Sequence, residues 1–70
     1  MSNMNYWSVE KSFVQGAIII RNSDGVELNR YDISMYSVEI EKDSHISVRS
    51  NVDCRTVFYS YIRNVIFYTT

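Results

Sequence analysis

There is no proline in this chain of 70 residues, and only two glycines, Gly16 and Gly25. Flexible linkers and low-complexity tracts are excluded by that shortage. A glycine-rich phosphate cradle is excluded too, because the two glycines stand apart. Cys54 is the single cysteine, so no internal disulfide can form, and a lone thiol fits a reducing compartment. His45 is the single histidine, which with one cysteine leaves no Cys/His metal site. Apolar runs are short: Ala17–Ile20 and Val65–Tyr68 fall far below the ~20 residues that span a bilayer. The opening residues, MSNMNYW, carry neither the basic region nor the apolar segment of a secretory signal. A soluble, cytoplasmic protein with no membrane partner is expected.

Catalytic groups are equally scarce. An enzyme needs a positioned nucleophile or an acid–base pair. His45, close to Asp43, reads as a surface histidine near a turn. Cys54 lies between Asp53 and Arg55; an arginine neighbour can lower a thiol pKa, yet the polar loop setting reads as non-catalytic. Asp24 with Glu27, and Glu39 with Glu41 and Asp43, offer too few ligands for a calcium loop. No enzyme activity, cofactor or metal is expected.

Charge is modest, at a net −1, so no overall attraction to nucleic acid is expected. Its distribution is uneven. Residues 1–43 hold four basic against seven acidic side chains, and residues 44–70 hold three against one. Two such halves could complement each other between subunits, although solvated faces are the plainer reading.

What the chain does have is β-branched and aromatic residues, densest from Thr56 to Tyr68 (TVFYSYIRNVIFY). Such side chains fit a pleated surface. Arg63-Asn64 interrupts the run and marks a short turn between two strand pieces. An apolar final strand left as a free edge templates aggregation, so partners on both flanks are expected. Closure of a barrel within the chain supplies them, and so does a strand from a neighbouring subunit. A domain this short often needs a staple or an oligomer, and here there is no disulfide.

Upstream, Met1–Asn5 is polar and expected to fray. Tyr6–Val14 has two readings. As a strand it places Trp7, Val9 and Phe13 on one face; as a helix it groups Tyr6, Val9 and Phe13, with Asn5 and Gly16 as caps. Ala17–Asn22 carries three successive isoleucines, the mark of a strand buried on both faces. Ser23-Asp24-Gly25 is a hairpin turn signal. In Val26–Ile33 the apolar residues switch face, Val26 and Leu28 on one and Tyr31 and Ile33 on the other, which marks a bulge or bend. Ser34–Glu41 alternates cleanly, with Tyr36, Val38 and Ile40 facing the core. After a turn at Lys42-Asp43-Ser44, Ile46 and Val48 continue the core face, with His45, Ser47 and Arg49 outside. Glu39 or Glu41 is expected to sit across from Arg49, and Ser50–Arg55 is a polar loop. The sum is one all-β domain over residues 1–70. It is a small, strongly bent antiparallel barrel of five or six short strands, led by a strand or a short helix.

The order hairpin, bent strand, polar loop and NVDCRTVFYSYIRNVIFY resembles the Sm-like family, in particular its Hfq branch, and shares its ending with SH3-like barrels. The resemblance implies a five-stranded barrel after an N-terminal helix, with rings closed by pairing the fourth strand of one subunit with the fifth of the next. Thr56–Tyr61 and Asn64–Tyr68 stand in those places. The Tyr-Lys-His signature of Hfq falls on Tyr59-Ser60-Tyr61, so the tyrosine is present and the lysine and histidine are not. The glycine usual in the second Sm strand is absent from Val26–Ile33.

Two functions are expected from this reading. The first is a non-catalytic protein-binding module, a small regulator or phage accessory factor by its size, that self-associates by strand pairing. Val57, Tyr59, Val65 and Phe67 are its interface candidates. Exposed tyrosines, among the six in the chain, also suit an interface. The alternative is an Sm-like ring on single-stranded RNA, contacted by Arg49, Arg55, Tyr59, Tyr61 and Arg63.

Overall fold

The computed structural model describes residues 6–41, 45–60 and 65–70. Seven strands run through them: β1 (Trp7–Ser12), β2 (Ala17–Arg21), β3 (Glu27–Asp32), β4 (Tyr36–Ile40), β5 (Ile46–Ser50), β6 (Thr56–Tyr59) and β7 (Val65–Thr69). They form two sheets, one in the order β3-β2-β1-β7 and the other in the order β4-β5-β6. The strand reading of Tyr6–Val14 holds over Trp7–Ser12, while Phe13, expected on the face of Trp7 and Val9, lies in the following turn and is exposed; no helix occurs among the described residues. The all-β expectation holds, and two finer ones are corrected: the described residues form seven strands, not five or six, and one pairing, β1 with β7, is parallel. The described strands lie in two sheets and do not form a closed barrel. The turns expected at Lys42-Asp43-Ser44 and Arg63-Asn64 lie outside the described residues.

β2 explains the run of isoleucines. It is an interior strand, antiparallel to β1 on one side and to β3 on the other. Ile18 and Ile20 join Val9 of β1 and Ile46 and Val48 of β5 in the core cluster. Each such burial contributes about 1.5–3 kcal/mol relative to an exposed side chain. Ile19 points to the opposite face and is also fully buried. It lies between Glu10 and Arg30, its partners on the neighbouring strands, whose long side chains cover apolar surface with their stems.

The two sheets meet through aromatic rings as well. Trp7 lies 5.1 Å from Phe58, and Tyr31 lies 5.2 Å from Tyr36, centroid to centroid. Tyr36, Val38, Val57, Phe58, Val65 and Phe67 are half-buried around the core. Ile40 departs from the expected core face: it sits at the end of β4 and is 61 % exposed.

The β2–β3 turn is built as its sequence implies. The Asn22 N–H donates to the Val26 carbonyl (3.0 Å), and Gly25 takes the left-handed conformation at φ 82°. Asn22 Oδ1 accepts the N–H groups of Asp24 and Val26, which locks the loop. The expected bulge follows at once. Arg21 faces Glu27 while Ile20 faces Asn29, so Leu28 has no opposite number. That extra residue is why the apolar positions of β3 change face.

Cys54 is the one non-glycine among the described residues with positive φ, at 62°. It closes the β5–β6 loop, its N–H donating to the Ser50 carbonyl at 3.0 Å. A left-handed conformation costs a residue with a Cβ roughly 1–2 kcal/mol, part of which glycine returns through its freer unfolded state. Cys54→Gly is therefore expected to raise stability by about 0.5–1 kcal/mol in urea unfolding. A loss of stability would show that the exposed Cys54 side chain has a packing role.

Candidate functional site

Two sheets have four edges, and they are not alike. β3 carries Glu27, Arg30 and Asp32 and is bulged at Leu28. β4 carries Glu39. β6 has no charge, but Val48 faces Phe58 and Arg49 faces Thr56, so Val57 is bulged out of register. β7, Val-Ile-Phe-Tyr-Thr, is uncharged and pairs with β1 in unbroken register from Trp7↔Val65 to Lys11↔Thr69. Charges and bulges are the ordinary devices that stop edge strands pairing with other chains. Among the described edges, β7 has neither.

The direction of the β7 backbone groups follows from its end. The Thr70 N–H donates to the Lys11 carbonyl at 3.1 Å, and the Phe13 N–H donates to the Thr70 carbonyl at 2.8 Å. Thr70 therefore turns its polar groups towards β1. Residues alternate along a strand, so Tyr68 and Ile66 do likewise, and Val65, Phe67 and Thr69 turn theirs to the side away from β1, which is open among the described residues. Side chains alternate too. Phe67 and Val65 pack on the core, whereas Ile66 and Tyr68 lie on the outer face, 52 % and 40 % exposed.

A polar network secures β7 from that outer face. Glu10 of β1, 7 % exposed, receives Arg21 Nη1 on Oε1 (2.8 Å) and the Thr70 hydroxyl on Oε2 (2.7 Å). Arg21 Nη1 also reaches the Tyr68 hydroxyl oxygen at 3.3 Å. The Arg21 and Thr70 hydrogen bonds hold the Glu10 carboxyl below its ordinary value of 4.5. A carboxylate depressed in the folded state stabilises at neutral pH, and that contribution is lost as the pH falls through its folded value. Glu27, Asp32 and Asp53 are lowered as well, by hydrogen bonds from Arg30, from Ser34 and from the Arg55 backbone respectively. Stability is thus expected to fall on the acid side of 4.5. Glu10→Gln should lower Tm by a few degrees at neutral pH and flatten the acid limb. The two proteins should converge once the wild-type Glu10 is protonated; a constant difference across the pH range would contradict this role.

The residues singled out in the sequence fall into separate groups. Val57, Val65 and Phe67 pack against the core cluster, with their strands at the sheet edges. Tyr59 stacks on His45, centroids 5.7 Å apart and planes within 10°. Arg49 and Tyr59 share the outer face of the small sheet, since Tyr59 pairs with Ser47 and Arg49 lies two residues beyond it. Arg49 is engaged with its own chain: Nη2 lies 3.4 Å from Glu39 Oε1, as expected from the sequence, and Nη1 donates to the Cys54 carbonyl. Arg55 is exposed, its N–H donating to Asp53 Oδ1 at 3.1 Å. Tyr61 and Arg63 lie outside the described residues. The described residues enclose no pocket and gather no group of three His, Cys, Asp or Glu side chains.

Sequence reasoning did not find the network that joins Glu10, Arg21, Tyr68 and Thr70. Tyr68 stood out only by its place in an aromatic stretch; Glu10 and Thr70 are 60 positions apart and meet through the β1–β7 pairing. No family model, curated protein or solved structure matches the chain.

Proposed function

We propose that this protein is a non-catalytic binding module that acts in the cytoplasm through protein–protein contact, joining copies of itself by strand pairing. The observation that carries the reading is the β7 edge, which lacks the charge or bulge found on each of the other three. The small core supports it. Among the described residues the buried cluster comprises Val9, Ile18, Ile20, Ile46 and Val48, and domains of this size commonly gain stability from association. Pairing between copies also supplies the sheet continuity that a small barrel of Sm-like or SH3-like type finds within one chain. A small regulator or phage accessory protein is the setting such a module fits.

The second reading is an Sm-like ring on single-stranded RNA. It draws on the shared face of Arg49 and Tyr59. The Glu39–Arg49 ion pair weakens it, because a phosphate would have to compete with a carboxylate already in place. Native mass by light scattering at micromolar concentration, together with filter binding to RNA at low salt, separates the two. An oligomer with no RNA retention supports the first reading. RNA retention that falls steeply with added salt, as phosphate contacts require, would support the second.

A further inference from the structure

The open side of β7 is symmetric about its own midpoint. Val65, Phe67 and Thr69 present their backbone donors and acceptors outward, and Phe67 stands at the centre of the five residues. We propose that β7 pairs antiparallel with β7 of a second copy about a two-fold axis through Phe67. The inference rests on the self-association reading above and specifies its strand, register and symmetry.

In this register Val65 lies opposite Thr69 of the second copy, Phe67 opposite Phe67, and Thr69 opposite Val65. All three are hydrogen-bonded pairs, each exchanging two N–H···O bonds, so every outward backbone group of β7 is satisfied. A shift by one residue in either direction leaves outward groups unpaired at both ends. The residues between them, Ile66 and Tyr68, fall opposite each other across the axis as the closer, non-hydrogen-bonded pairs. Both lie on the outer face and are substantially exposed in the single chain, 52 % and 40 %. Aromatic and β-branched residues facing one another in this way are favourable cross-strand pairs. Since no charged residue occurs in β7, the axis brings no like charges of this strand together.

Symmetry separates this arrangement from a ring. A two-fold interface uses one patch twice, whereas a ring uses two different patches, here β7 against β6. β6 is interrupted by the bulge at Val57 and cannot offer an unbroken ladder to five residues. The two-fold dimer instead joins the four-stranded sheets into one continuous sheet, β3-β2-β1-β7 followed by its symmetry copy.

Sedimentation equilibrium of wild type, Thr69→Pro and Ile66→Lys tests the proposal. Thr69 is exposed and its N–H faces outward, so proline there takes no bond from β1. Each variant is expected to weaken dimerisation at least about tenfold while far-ultraviolet circular dichroism stays native, because each blocks the edge without touching the internal ladder. Register is read separately by oxidising Ile66→Cys/Tyr68→Cys in a Cys54→Ser background. Opposed Cα atoms at ~4.5 Å fall within disulfide reach, so a covalent dimer is expected, and Ile66→Cys alone should give none. A wild type that stays monomeric at high concentration would overturn both this pairing and the self-association reading. An oligomer indifferent to both edge variants, or one larger than a dimer built by other contacts, would overturn the β7 pairing alone.

Discussion

Ile18→Ala is expected to leave the domain largely unfolded at room temperature. Ile18 is fully buried at the centre of the core cluster, between Lys11 on β1 and Tyr31 on β3. Truncating a buried isoleucine to alanine costs about 2–5 kcal/mol, which is a large part of the total stability of a small domain. Ile19→Ala provides the internal comparison, because Ile19 is equally buried but faces outward. Its partners on the neighbouring strands are Glu10 and Arg30, whose long side chains can move into the space left behind. The cost there should lie near the lower end, about 2 kcal/mol, since it depends on how well the site collapses. Urea unfolding of the two variants checks this. Equal losses would mean that the outer face is as rigidly packed as the core.

Tyr68→Pro should destabilise strongly while Thr69→Pro, one residue on, should not. The Tyr68 N–H faces β1, and proline removes that donor and leaves a strand acceptor unmatched. An unsatisfied backbone group costs about 1–3 kcal/mol. The same substitution removes the hydroxyl that meets Arg21, so the anchoring of β7 suffers from two directions. Thr69→Pro loses neither and should keep a native Tm at concentrations where the chain is monomeric. Equal damage from both prolines would show that the alternation of bond directions inferred from Thr70 does not extend along β7.

Much of the local architecture was legible from residue types. The isoleucine run signalled a strand buried on both faces, Asp24-Gly25 signalled the hairpin, and the change of face between Leu28 and Tyr31 signalled the bulge. Each of these rests on interactions among near neighbours. The parallel β1–β7 pair was not legible, because its register joins residues 58 positions apart, as at Trp7↔Val65. Without that pair, strands at hairpin spacing read as a meander closing on itself. With it, β1 becomes an interior strand, β7 becomes an edge, and the two sheets follow. The candidate site shows the same division. β7 itself stood out by composition, whereas the open flank of Val65, Phe67 and Thr69 depends on which side β1 occupies.

Amide hydrogen exchange along β7, followed against protein concentration, addresses the pairing most directly. Ile66, Tyr68 and Thr70 should be protected at every concentration, because their N–H groups bond to β1 within the chain. Val65, Phe67 and Thr69 should exchange fast in dilute solution and gain protection together as the dimer forms. Protection of all six amides in a dilute monomer, or fast exchange at Phe67 in a sample that is fully dimeric by mass, would contradict the account.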